Sequence, residues 1–327
     1  MELPYDLALA LDHLGQNYPL RELQQAAQTL SQRYRSATRS GQPLLRQGSE
    51  AAAYALARMP ATYGALWTAL GWALDCCSLE PTSLLDVGAG TGAATWAAGE
   101  RLNLERITCL EAEPAMADLG RQLMAESPLA KAQWQLGDLR RGALPTSAQL
   151  VLCAYVLNEL PPDSLEKALR ALWDSTEQLL LLVEPGTPEG SALLRRCRRF
   201  LLDWGATLAA PGPCGGSCPL EESADDWCHF ACRVPRSKLH RLLKGGDAPY
   251  EDEKFCYLAL CKGPAQPVAA RILRHPRIDS GRVGLRLCQA GEGCQSCALQ
   301  DCTFRKKDAA YKAARKAAWG DGLELEK

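Results

Sequence analysis

The sequence predicts an α/β protein built on a doubly wound parallel sheet, and three observations predict it. Residues 83–98, SLLDVGAGTGAATWAA, read as a buried strand, a glycine turn and a helix, the opening of a βαβ unit. Apolar runs at 106–110, 149–153 and 178–184 alternate with helix-forming segments, the pattern of a parallel sheet covered on both faces. A hydrophobic content of 47% and a charged content of 23% over 327 residues supply a core. No run approaches the roughly 20 apolar residues of a membrane span.

Residues 1–78 form a helical N-terminal region. Leu7, Leu9, Leu11 and Leu14 begin one helix, Leu20 to Ser36 make a second, and Ala51–Met59 and Tyr63–Cys77 flank Pro60. No catalytic signature appears there. The N-terminus carries Glu2, Asp6 and Asp12 with no early Arg or Lys, unlike a signal peptide or an Arg-rich transit peptide, so the expected compartment is a bacterial cytoplasm.

Residues 79–205 form the core. After the strand Leu84-Leu85-Asp86-Val87, Gly88 and Gly90 let the backbone turn sharply and approach a ligand without a Cβ in the way. A dinucleotide site would show G-x-G-x-x-G. The spacing here, D-V-G-A-G-T-G, resembles motif I of the class I S-adenosylmethionine (SAM) methyltransferases. That resemblance implies a turn facing the methionine and ribose of SAM. The second strand ends at Glu111, 25 residues past Asp86, where an acceptor-only carboxylate suits the two ribose hydroxyls. The run EAEPAM also resembles the family pattern. The third strand, 133–138, ends at Asp138. In the resembled family an acid here meets the adenine amino group, and the next N–H, on Leu139, meets the ring.

The fourth strand, 149–153, leads into Asn158-Glu159-Leu160-Pro161-Pro162, which departs from the Asn/Asp-Pro-Pro-aromatic motif of amino-group methylating enzymes. Asn158 and Glu159 either face substrate or cap the strand. A helix at 163–176, a fifth strand at 178–184 and a helix at 189–204 follow. Strands at 255–261 and 282–288 would complete the sheet. The connection over 205–254, about 50 residues, is too long for an idle loop.

Ten of the fifteen cysteines lie after residue 213. In a reducing compartment such clustering points to metal, and no disulfide framework is expected. P-C-G-G-S-C-P at 213–219 and W-C-H-F-A-C-R at 227–233 suit zinc or an iron–sulfur cluster. Residues Cys214, Cys218, Cys228 and Cys232 could form a self-contained zinc site. Cys288, Cys294, Cys297 and Cys302 form either a second site or a quartet competing for Cys288.

The stretch Trp227-Cys228-His229-Phe230, with Arg233, Arg236, Ser237, Tyr250–Phe255, Cys288 and Trp319-Gly320-Asp321, resembles the mitochondrial small-ribosomal-subunit methyltransferase-like assembly factors and their bacterial relatives. With motif I and Glu184-Pro185-Gly186 the resemblance covers roughly residues 49–321. It implies a SAM-binding core, association with the small ribosomal subunit, and a [4Fe-4S] cluster. By position the cluster ligands would be Cys214, Cys218, Cys228 and Cys288, with zinc as the alternative. The first pair is more closely spaced than expected, and Cys232 is an extra thiol. His229 is expected to pack near the site or meet RNA phosphate.

Residues 231–286 hold twelve Lys and Arg against five Asp and Glu, a net of +7, and 303–317 hold six basic residues against one acid. Such basic stretches on a near-neutral chain are the footprint of an RNA binder. The expected organisation is a helical region (1–78), a SAM-binding core (79–205), a cysteine-rich metal insertion (206–254), last core strands with cluster-closing cysteines (255–302) and a basic tail (303–327). The expected function is a SAM-dependent methyltransferase-like protein acting on the small ribosomal subunit or its rRNA. The alternative is a non-catalytic assembly factor that uses SAM and the metal group structurally.

Overall fold

Strand β1 (Ser83–Val87) is buried along its whole length, as a strand covered on both faces must be. It is central to one of the two compact units of the computed structural model, which describes residues 1–36, 48–221, 223, 225–291 and 296–323. The first unit comprises Met1–Leu70, Glu80–Val183 and Cys232–Glu253; the second comprises Gly71–Leu79, Glu184–Ala231 and Lys254–Lys327.

In the first unit three helices, α1 (Tyr5–Gln16), α2 (Leu20–Ser36) and most of α3 (Gly48–Leu74), precede β1. The Ala-rich sequence of α3 favours helix strongly enough to hold Pro60 within it. The chain then alternates through α4 (Ala93–Gly99), β2 (Arg106–Glu111), α5 (Pro114–Met124), β3 (Gln133–Leu136), β4 (Ala148–Ala154), α6 (Leu165–Asp174) and β5 (Thr176–Pro185). Pro114 begins α5, where its missing N–H costs nothing. The strands are parallel in the order β3-β2-β1-β4-β5, with Asp86 beside Cys109 on one neighbour and Leu152 on the other. Successive crossovers therefore reverse direction between β1 and β4. The crevice beyond the carboxyl ends of those two strands is the switch point at which open α/β sheets bind ligands.

The second unit continues with α7 (Pro188–Asp203) and β6 (Thr207–Ala210). Thr187 caps α7, its hydroxyl oxygen accepting from the Gly190 N–H at 3.2 Å. Strand β7 (Phe230–Pro235) runs on into the first unit, where α8 (Lys238–Lys244) lies. Strand β8 (Tyr250–Cys261) returns, and its end pairs antiparallel with β6. Then come β9 (Ala270–Ile272), β10 (Arg277–Asp279), β11 (Arg282–Ala290), β12 (Cys297–Arg305), α9 (Tyr311–Lys316) and β13 (Gly322–Leu323). These strands make a second sheet around β11, which pairs with β12 along its whole length and with β10 and β9 on its other edge. Its core joins Ile272, Val283, Leu285 and Leu287 to Tyr311 and Ala314 of α9.

The fold is thus mixed α/β with a central sheet. Two expectations change. The strand expected over 282–288 exists as β11 but belongs to the second sheet, and β6 is the strand that pairs antiparallel with β8. Four residues with two alanines, Thr-Leu-Ala-Ala, carry almost no strand signal. The stretch 206–254 is also no single insertion, since it supplies β6, β7 and α8 and divides between the units.

Candidate functional site

The glycine turn after β1 is left-handed at Gly88 (φ 70°) and Gly90 (φ 58°). A Cβ on Gly88 would stand 2.3 Å from Val156 Cγ2, so this position admits glycine alone. A Cβ on Gly90 would meet only Met116 Cε, at 3.6 Å. The turn is pinned from below by the Gly88 and Ala89 N–H groups, which donate to the Leu110 carbonyl at 2.8 and 3.0 Å.

Glu111 ties the second strand to this turn. Its Oε2 accepts from the Gly90 N–H at 2.7 Å, and its Oε1 from the Ala112 and Glu113 N–H groups at 2.8 Å each. Burial pushes its carboxyl up and these backbone bonds pull it back. These bonds fill three of about four acceptor positions of the carboxylate. Asp86 lies beneath, its Oδ2 accepting from the Thr95 N–H (3.1 Å) and Thr95 Oγ1 (2.8 Å). Burial raises its carboxyl to about 7.

A cleft of about 360 Å³ opens over the turn, lined by Asp86, Gly88 and Gly90 with Tyr54 and Met59 of α3 and Tyr155 after β4. The bare backbone at Gly90 leaves room for a ligand to approach the turn, but Glu111, which holds that turn, does not itself line the cleft. Asp138 and Leu139 do not line this cleft. Asp138 sits at the end of β3 and accepts from Arg140 through its backbone N–H and guanidinium, which hold its carboxyl below the usual range.

Asn158 and Glu159 form a short 3-10 turn beyond β4. Asn158 Oδ1 is buried with no hydrogen-bond partner among the described residues. Glu159 is raised to about 7 by burial and then by the charge of Glu111. Sequence reasoning missed Tyr155, which holds a left-handed φ of 59°. For a bulky residue this is a strained conformation of the kind concentrated at functional positions. Its hydroxyl donates to Glu253 Oε1 at 3.3 Å, and Arg58 Nη2 lies 3.6 Å from the same oxygen. The only signal was position, directly after the fourth strand.

The second unit brings the four carried-over cysteines together. Cys214, Cys218, Cys228 and Cys288 line one cavity of about 670 Å³, joined by Cys256 and Cys297. The Cys214–Cys218 loop is held by the Cys297 N–H, which donates to the Ser217 carbonyl at 3.0 Å, and by Arg198 Nη2, which donates to the Cys214 and Gly216 carbonyls. Cys288 stands opposite Leu299 and Ala290 opposite Cys297, so Cys288 and Cys297 are diagonal neighbours on one sheet face. Cys297 Sγ lies 3.1 Å from Cys214 Sγ. Burial pushes the Cys214, Cys218 and Cys228 thiols up. Among the described residues, no three His, Cys, Asp or Glu side chains gather around a single ion position.

Other cysteine groupings are not assembled. Cys232 belongs to the first unit and does not line this cavity. Cys302 lies on the opposite face of β12 from Cys297 and packs into the core of the second sheet. Cys294 lies outside the described residues. His229 packs between Trp227 and Trp319, with ring centroids at 4.9 and 5.0 Å, and its Nδ1 meets the Trp227 carbonyl at 3.0 Å.

Much of the basic charge in 231–286 is neutralised. Arg233 pairs with Asp252, Arg236 and Lys244 with Glu251, Arg274 with Asp226, Arg282 with Asp279 and Arg286 with Asp301. Arg271 is buried. By contrast Arg305, Lys306, Lys307, Lys312, Arg315 and Lys316 are all exposed, so the cationic surface concentrates at the end of β12 and on α9. Among the described residues no helix is long and apolar enough to cross a membrane.

Comparison with known proteins places these features in a family. The model of the mitochondrial small ribosomal subunit Rsm22 family matches residues 48–324. The human mitochondrial ribosome assembly protein METTL17 is 27% identical over 264 residues, covering 76% of this chain and 56% of that protein. The Rsm22-cox11 tandem protein 2, mitochondrial, of Schizosaccharomyces pombe is 25% identical over 224 residues, covering 55% of this chain and 29% of its own. The chain thus spans about half or less of these relatives. Among solved structures, a putative RNA methyltransferase from Pyrococcus horikoshii aligns with a TM-score of 0.41 at 15% identity, covering 62% of this chain and 85% of that one. Magnesium protoporphyrin IX methyltransferase from Synechocystis with bound SAM aligns at 0.40 and 14%, covering 68% and 87%. These matches overturn the expected bacterial cytoplasm: the family and the curated relatives are mitochondrial.

Proposed function

The chain belongs to the mitochondrial small ribosomal subunit Rsm22 family, and from that premise we propose that it acts in assembly of the small ribosomal subunit. In this reading it binds SAM over the turn after β1 and holds a metal group on Cys214, Cys218, Cys228 and Cys288. The observation that carries the SAM reading is the Glu111 carboxylate closed onto the Gly90 N–H at the sheet's switch point. Gly88 and Gly90 keep the turn open to the ligand, Asp86 braces it through Thr95, and Glu111 offers its remaining acceptor to the ribose. SAM supplies an electrophilic methyl group. Asn158 and Glu159, in the 3-10 turn after β4, are the candidate substrate-facing groups of this reading, although neither lines the cleft. A carboxyl raised to about 7 is matched to taking a proton from an attacking group near neutral pH.

For the metal group, the supporting observation is that all four cysteines line one cavity. Zinc draws its sulfurs to about 2.3 Å. A [4Fe-4S] cluster is likewise held by four cysteine thiolates. Contact with rRNA is assigned to the exposed basic residues of 305–316.

A second reading, a non-catalytic assembly factor, is favoured by Asp138, whose carboxylate is already engaged by Arg140 and so must be released before it can meet adenine. Two measurements decide. Transfer of labelled methyl from SAM to small subunits or naked rRNA supports the enzyme, and SAM binding without transfer refutes it. Iron and sulfide in anaerobically purified protein support the cluster, and a colourless protein with one zinc refutes it.

A further inference from the structure

Tyr257, on β8 in the second unit, is 3% exposed. Its ring packs against Trp72, Phe230 and Phe255 with centroids 5.7, 5.2 and 6.1 Å away. Its hydroxyl is buried and has no hydrogen-bond partner among the described residues. Buried hydroxyls normally find partners, and an orphan one calls for an explanation. The surroundings supply one, because Tyr257 lines the same cavity as Cys214, Cys218, Cys228 and Cys288. The polar groups around it are otherwise occupied. Arg271 donates to the Pro211 and Gly320 carbonyls at 3.0 and 2.9 Å. Cys256 Sγ donates to the Cys228 carbonyl at 3.1 Å, which fixes the backbone that carries the Cys228 thiol.

We propose that Tyr257 is a positioning residue for the group held by the four cysteines, its O–H donating a hydrogen bond to a sulfur of that quartet when the sulfur is a metal-bound thiolate. This rests on the metal reading given above. A protonated thiol is a weak acceptor and a thiolate is a strong one. The hydroxyl is therefore unsatisfied in the metal-free protein and satisfied in the loaded protein. Partners of this kind orient metal ligands, and hydrogen bonds to sulfur raise the potential of iron–sulfur clusters.

The test is Tyr257→Phe, which removes one oxygen and keeps the ring. Both proteins are stripped of metal, then reconstituted anaerobically with ferrous iron and sulfide and, separately, with zinc. In the stripped state the variant unfolds at a temperature equal to or above that of the wild type, because no hydrogen bond is lost. In the loaded state it releases metal to a chelator roughly tenfold faster or more, and a reconstituted cluster is reduced at a lower potential. Equal release rates in a protein that does take up metal overturn this inference alone. Equal destabilisation of the stripped and loaded states also overturns it, since that marks a packing role. A wild-type protein that takes up neither iron nor zinc overturns the metal reading and this inference with it.

Discussion

Replacing Asp86 by asparagine isolates what it costs this fold to bury a carboxyl beneath the glycine turn. Asp86 is 1% exposed. Burial raises it from 3.8 to about 7, against two hydrogen bonds from Thr95 and with reinforcement from the charge of Glu111. The folded protein therefore keeps a proton that the unfolded chain has lost between about 3.8 and about 7. A state that binds more protons loses stability as pH rises, so the wild type weakens through that window and levels off above it. At about 1.4 kcal/mol per pH unit, this one group removes about 3 kcal/mol between pH 5 and pH 8. Asparagine keeps the shape and an acceptor for Thr95 and has no charge to bury. Urea unfolding of D86N and wild type at pH 5, 6, 7 and 8 should show their difference moving in favour of D86N by about 3 kcal/mol. Glu111 and Glu159 are raised in the same direction, so D86N retains part of the wild-type slope. Parallel curves for the two proteins would refute the reasoning.

Other substitutions probe the remaining features. Gly88→Ala combines left-handed strain of about 1–2 kcal/mol with a clash of about 1–3 kcal/mol on Val156, whereas Gly90→Ala carries the strain alone; denaturant midpoints should rank them in that order. Arg271→Met leaves the Pro211 and Gly320 carbonyls without their donor and should destabilise by about 2–4 kcal/mol in guanidinium unfolding. Serine at Cys214, Cys218, Cys228 or Cys288 should abolish bound metal by elemental analysis, while serine at Cys302, on the far face of β12, should leave it intact. Reversing Lys306, Lys307 and Lys312 to glutamate should weaken rRNA binding and flatten its salt dependence in filter assays. Reversing the ion-paired Arg233 should do much less.

What could be read from the sequence was what depends on neighbours in the chain. The turn at Gly88–Gly92 and the acid at Glu111 are local signals, fixed by a strand and the residue that ends it. The placement of Tyr155 against Glu253 and Arg58 depends on residues far apart in sequence and leaves no pattern. The apolar alternation of 282–288 showed a strand correctly, but alternation carries no information about which sheet the strand joins. Counting charge over 231–286 overstated the cationic surface, because Glu251 and Asp252 on β8 neutralise Arg233, Arg236 and Lys244. The cysteine quartet came from family resemblance. That Cys256 and Cys297 share its cavity could not have been counted from spacing.

The walls of that cavity come from distant parts of the chain: the loop after β6, the segment leading into β7, and β11. In the order of synthesis the first three thiols, Cys214, Cys218 and Cys228, precede the fourth, Cys288. A chain arrested before β11 has no complete mouth with which to grip anything. Any group that requires all four sulfurs can be captured only after β11 has been made.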